Sequence, residues 1–153
     1  MSEKERTRTF IGRVIITGTV QAPAVVTHQG FNTLASFQKS AMAKKSEMIC
    51  SDQNNSDLFG KNLTAKALCL PQTIGSTTGG MVIQTVADMG AAPAAFLFSQ
   101  SIDSLAAAGV ILSAVWDDRQ IVTVDRLGDE FLNYVEDGMQ VEVKEDGSVT
   151  VFG

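Results

Sequence analysis

Apolar positions in this chain cluster in short runs, and most of the runs are spaced like strands. Phe10–Val20, "FIGRVIITGTV", is β-branched and roughly alternating, which predicts a strand. Pro23 breaks that run, and residues 24–27 extend again. Residues 65–70, 94–98, 110–116, 121–125, 139–144 and 148–152 read as further strands. The last two flank Glu145-Asp146-Gly147, in which Asp-Gly signals a tight hairpin. Helical spacing is rarer. Val82, Val86 and Met89 recur at it until Gly90 stops the pattern. Ser101–Ala108 predicts a short helix with Ser101 as N-cap and Gly109 past its end. Residues 30–45 are ambiguous, with a short helix possible but no clean apolar stripe. "CSDQNNSDLFGKN", from Cys50, is dense in turn formers and reads as loop. The pattern predicts a β-rich α+β or layered α/β domain with two or three short helices.

Composition narrows the function without supplying one. At 153 residues the chain suits one domain with a real core, here residues 10–153 behind a flexible tail of residues 1–9. That tail is charged and lacks the apolar segment of an export signal, so a cytoplasmic location is expected. No apolar run approaches the ~20 residues a bilayer requires. A net charge of -5 with scattered Lys and Arg disfavours nucleic acid. Two cysteines, Cys50 and Cys69, cannot make a four-ligand metal site and are expected to be reduced thiols.

The stretch that carries candidate chemistry is "LPQTIGSTTGG", Leu70–Gly80. An apolar run ends at Pro71, a loop of glycines and hydroxyls follows, and a helix begins. The first N–H groups of a helix lack helical partners and carry the positive end of its dipole. Glycines let a ligand approach them, so such a loop suits a carboxylate, a phosphate or an oxyanion. It is not a GxxxxGK[ST] phosphate loop, because no Lys follows, nor a GxSxG nucleophile elbow. The plain alternative is that Ser76, Thr77 and Thr78 only cap the helix.

In this loop the sequence resembles the small-subunit, or swivel-domain, signature of aconitase X. "GFNTLASFQKS", "CSDQNNSDLFGK" and "AAGVILSAVW" followed by "DR" agree in the same order, so the resemblance runs from about Phe10 to Val143. It implies a swivelling β/β/α domain, with a layered or barrel-like sheet, that closes over a larger catalytic subunit. That partner would hold an iron–sulfur cluster, leaving this chain without a cofactor and inactive alone. The pair would be a hydro-lyase acting on a small hydroxy acid. Ser76 would be the base; Gly75, Thr77, Thr78 and Gly79, with Ser36 and Phe37 from a second loop, would bind substrate. Many members with a phosphorylated mevalonate substrate carry Arg-Gly-Ser. Here Ile74 replaces the Arg and its bidentate fork. That departure points to cis-3-hydroxy-L-proline as substrate, with mevalonate 5-phosphate as the alternative. A stand-alone anion-binding module and a non-catalytic assembly subunit are the readings from other classes.

Other polar residues have plain readings. Asp52 and its Asn neighbours build turns as readily as sites. Cys50 without spaced partners acts as a small apolar residue. The lone His28 suits a strand end. Asp117-Asp118 before Arg119 suits a solvated turn, and Met42 and Met48 suit filler in the core or an interface.

Overall fold

The structure, a computed structural model, describes residues 7–75, 78–116 and 118–153. Its centre is a mixed eight-stranded sheet. The first two strands, β1 (Arg8–Ile11) and β2 (Arg13–Ile16), stand at opposite ends of the strand order, yet only Gly12 separates them in sequence. β1 pairs antiparallel with β10 (Ser148–Phe152), and β2 with β8 (Val122–Asp125). One bent segment therefore joins both edges, and the sheet nearly closes into a barrel, which removes the exposed-edge hazard of an open sheet. The corner has no room for a side chain: a Cβ on Gly12 would lie 2.4 Å from the Asp125 carbonyl oxygen. The expected single strand over Phe10–Val20 is thus two strands and a corner. The first strand also starts within the expected tail, at Arg8.

Pro23 does not end the next strand. β3 (Val20–Val26) runs through it, pairing with β9 (Gln140–Val143) up to Pro23 and with β5 (Ala67–Leu70) from Ala24 onward. Parallel pairing continues from β5 to β7 (Ala95–Phe98) and on to β8. These strands are buried on both faces, which suits the continuous apolar runs of β5 and β7, while β8 also buries Thr123 and Asp125. Ala67, Cys69, Ala95 and Leu97 face the barrel interior, where the short helix α4 (Asp129–Tyr134), unforeseen from the sequence, adds Phe131 and Leu132. Leu68, Leu70, Phe96 and Phe98 face a helical layer. Each large side chain so buried contributes ~1.5–3 kcal/mol relative to exposure.

That layer holds α1 (Thr33–Met42), α2 (Gly79–Asp88) and α3 (Ser104–Trp116). α2 buries Ile83, Val86 and Ala87, and Val82 and Met89 of the expected 82/86/89 spacing pack partly buried against the same core. α3 corrects the sequence reading most. The expected helix 101–108 and strand 110–116 are one continuous helix, and Gly109 lies inside it. Asp103 rather than Ser101 caps it: its carboxylate accepts from the Leu105 and Ala106 amides. The Ser101 hydroxyl instead accepts from Arg126 Nε. Gly109 is required by contact, because a Cβ there would lie 2.7 Å from the Gly80 carbonyl oxygen, where α2 crosses α3. The helices among the described residues number four rather than two or three.

Candidate functional site

Two short parallel strands, β4 (Phe31–Asn32) and β6 (Thr73–Ile74), sit apart from the main sheet and lead into α1 and toward α2. Asn32 caps α1 by accepting from the Ala35 amide at 3.0 Å. Gly75 follows β6 with φ +111°, in the region that favours glycine. Any Cβ at Gly75 would stand 2.9 Å from Asn32 Oδ1, so glycine is needed here for both backbone and space. Thr78 takes the N-cap position of α2, and its carbonyl accepts from the Val82 amide.

The result is a convergence of three helix starts. A cavity of about 110 Å³ is lined by Thr33 from α1, Gly79 from α2, and Leu105 and Ala106 from α3. Thr73, Ile74, Gly75 and Asp103 complete it. Each helix start presents the positive end of its dipole. Asp103 offsets part of that field, since it accepts both from its own helix and from the Thr73 hydroxyl. Chemically the place favours an anionic group close to the glycines.

The sequence expectations divide over this site. Gly75 and Gly79 line the cavity and Thr78 adjoins it. Ser76 and Thr77 lie outside the described residues, as does Asp117. Ser36 and Phe37 are not in a loop: both belong to α1 and have no exposed surface. Phe37 packs edge-on against Phe31, with ring centroids 5.5 Å apart. The Ser36 hydroxyl makes no hydrogen bond of normal geometry among the described residues, although it lies close enough to the Cys50 thiol to influence it. The turn-rich segment after Cys50 is structural. Ser51 donates to the Ala35 carbonyl, Asp52 accepts from the Asn54 amide, and Asn55 accepts from the Asp57 and Leu58 amides. The exposed His28 follows β3, its amide donating to Asp57. Sequence reasoning missed Thr33, Thr73 and Asp103. Only Asp103 left a signal, as an Asp just ahead of an apolar helical run.

Both cysteines are buried thiols, and they sit in the two separate cores on either side of the sheet. Burial pushes the Cys50 thiol up and the Cys69 thiol much further up. Among the described residues no three His, Cys, Asp or Glu side chains stand together as metal ligands. The residues present therefore do not fit an iron–sulfur cluster. None of the described helices is long and apolar enough to cross a membrane.

Known proteins resemble this chain in sequence and in fold. A small subunit of phosphomevalonate dehydratase from Aeropyrum pernix is 34% identical over 94 residues, 61% of this chain and 66% of that protein. Its counterpart from Methanothermobacter thermautotrophicus is 35% identical over 89 residues, 58% of this chain and 63% of that protein. The matches thus span just under two thirds of those relatives' lengths. The crystal structure of the holo form of Thermococcus kodakaraensis aconitase X superposes with a TM-score of 0.79 at 25% identity, covering 95% of this chain and 99% of that one. A solution NMR structure of a UPF0107 protein shares the fold, with a TM-score of 0.76 at 22% identity over 95% of this chain and 100% of that one. The aconitase X swivel domain model matches residues 9–151, from β1 to the last residue but one of β10. The family model covers almost the whole sequence and the fold superposes over 95% of it, and this chain belongs to the aconitase X swivel domain family.

Proposed function

We propose that this chain is the small subunit of a two-subunit hydro-lyase that dehydrates a small β-hydroxy acid. The observation that carries the reading is the family match over residues 9–151, within which Gly75 and Gly79 line the cavity where three helices start. Dehydration needs a base for a weakly acidic α-proton, a Lewis acid for the departing hydroxide, and charge stabilisation at the carboxylate. In this reading the larger subunit supplies the Lewis acid, as an iron–sulfur cluster, and this chain supplies the base. Ser76 takes the α-proton as an alkoxide and becomes a hydroxyl, while the C–O bond breaks and hydroxide leaves. A serine alkoxide demands strong stabilisation, and the loop amides beside the start of α2 are suited to it. Gly75 and Gly79 keep the approach open, and Thr77 and Thr78 orient the carboxylate.

Two substrates satisfy this chemistry. The curated relatives are phosphomevalonate dehydratase small subunits, which favours mevalonate 5-phosphate. A second reading, cis-3-hydroxy-L-proline, is favoured by Ile74, which stands at the cavity with no charge to offer a phosphate. Asp103 is the single charged residue among the described residues that line the cavity, so phosphate ligands would come from the partner.

The test is co-expression with the larger subunit and an anaerobic assay on both substrates. Ser76→Ala is expected to assemble normally, keep its Tm and lose about 10²–10⁴-fold in kcat. A variant with full turnover and a Tm loss equivalent to about 1 kcal/mol would return the serine to helix capping.

A further inference from the structure

The outward side of α3 is apolar where a surface helix is ordinarily polar. None of its thirteen residues carries a charge. At about 100° per residue, Leu105, Ala108, Ile111, Leu112, Val115 and Trp116 share one arc of roughly 140°. All six are exposed. Val115 and Trp116 are exposed to 73% and 77%. A contiguous exposed apolar face of this kind marks an interaction surface.

The cavity indicates what covers it. Leu105 opens the arc and also lines the cavity, and Ile74, 51% exposed, stands on the same rim. The apolar face is therefore continuous with the candidate site. The cavity holds about 110 Å³, against the roughly 300–1,000 Å³ of sites that enclose a small molecule. A body seated on this rim would add the further walls that such an enclosed site has. A second copy of this chain would cover α3 but bring only a second cavity of the same incomplete kind. We infer that the outward face of α3 docks an uncharged apolar patch of the larger subunit, which seats against the Ile74–Leu105 rim and closes the cavity. The inference rests on the reading of this chain as a small subunit.

The experiment measures binding of the purified larger subunit to wild type, to Val115→Glu/Trp116→Glu, and to Ile11→Glu as a control. Ile11 is 75% exposed on β1, in the barrel wall rather than the helical layer. Circular dichroism and Tm establish that each variant is folded. The expected result is at least tenfold weaker binding for the α3 variant and wild-type binding for the control. Saturating larger subunit should restore activity to the α3 variant, since neither residue touches the cavity. Equal binding by wild type and the α3 variant, in a complex that dehydrates substrate, would overturn the docking surface and leave the proposed function standing. Self-association that the α3 variant abolishes, with the heteromeric complex unaffected, would assign the face to a second copy and also overturn it. A wild-type chain that neither binds the larger subunit nor supports dehydration would remove both.

Discussion

Asp125 is a carboxylate with no exposed side-chain surface, and it is fully engaged. It accepts from Arg13 Nε at 2.9 Å, from Arg13 Nη2 at 2.7 Å and from the Ile102 amide at 2.7 Å. Burial pushes its pKa up, but the Arg13 fork, the Ile102 amide and the charges of Arg13 and Arg126 outweigh burial and hold it below the ordinary value of 3.8. A folded pKa below the unfolded one contributes stability that is complete above the unfolded value and is lost as pH falls through the folded one. The Tm gap between wild type and Asp125→Asn should therefore be constant above about pH 5 and narrow below about pH 4. Thermal melts from pH 7 to pH 3 check this, and a gap that stays constant to pH 3 would contradict it. The pair matters to the fold because Arg13 opens β2 and Asp125 ends β8, next to the Gly12 corner that closes the barrel. No local pattern marks these residues, because their partners are 112 positions apart.

At the scale of elements, α3 shows how a sequence signal can point the wrong way. "GVILSAVW" is β-branched and apolar, and Gly109 looks like a stop, so the stretch reads as a strand after a short helix. Tertiary contact overrides that preference. Gly109 lets the α2 backbone approach at Gly80, and Ala106, Val110 and Ser113 bury the inner face. Gly109→Ala tests this. Helix propensity alone would stabilise by about 1 kcal/mol, whereas a Cβ 2.7 Å from the Gly80 carbonyl oxygen forces the helices apart, an overpacking cost of typically ~1–3 kcal/mol. The clash is with backbone, so the expected outcome is a Tm lower by several degrees. A higher Tm would mean that propensity dominates and the crossing can relax. Strands β5 and β7 of the parallel core were legible for the opposite reason: their continuous apolar runs suit burial on both faces, and both lie within the runs that the sequence marks.

For the whole molecule, the two thiols lie in different cores and no group of three metal-ligating side chains stands together among the described residues. The isolated chain, reconstituted anaerobically with iron and sulfide, is expected to show no stoichiometric cluster absorbance, and a stable visible band from the purified chain would overturn this. What the sequence determined by itself is what local chemistry can encode. Alternating and continuous apolar runs set most strands, Asp146-Gly147 set the last hairpin, and "LPQTIGSTTGG" with its flanking segments carried the family. Only the tertiary structure decided how those pieces meet. It bent one expected strand at Gly12 to close the sheet, fused a helix and a strand into α3, and placed Ser36 and Phe37 on the buried face of α1 rather than in a loop. It also brought Thr33, Thr73, Gly79 and Asp103 to one small cavity. The reason is physical: periodicity and turn chemistry act over a few residues, whereas packing, ion pairing and cavity walls join residues far apart in sequence, whose proximity no local pattern records.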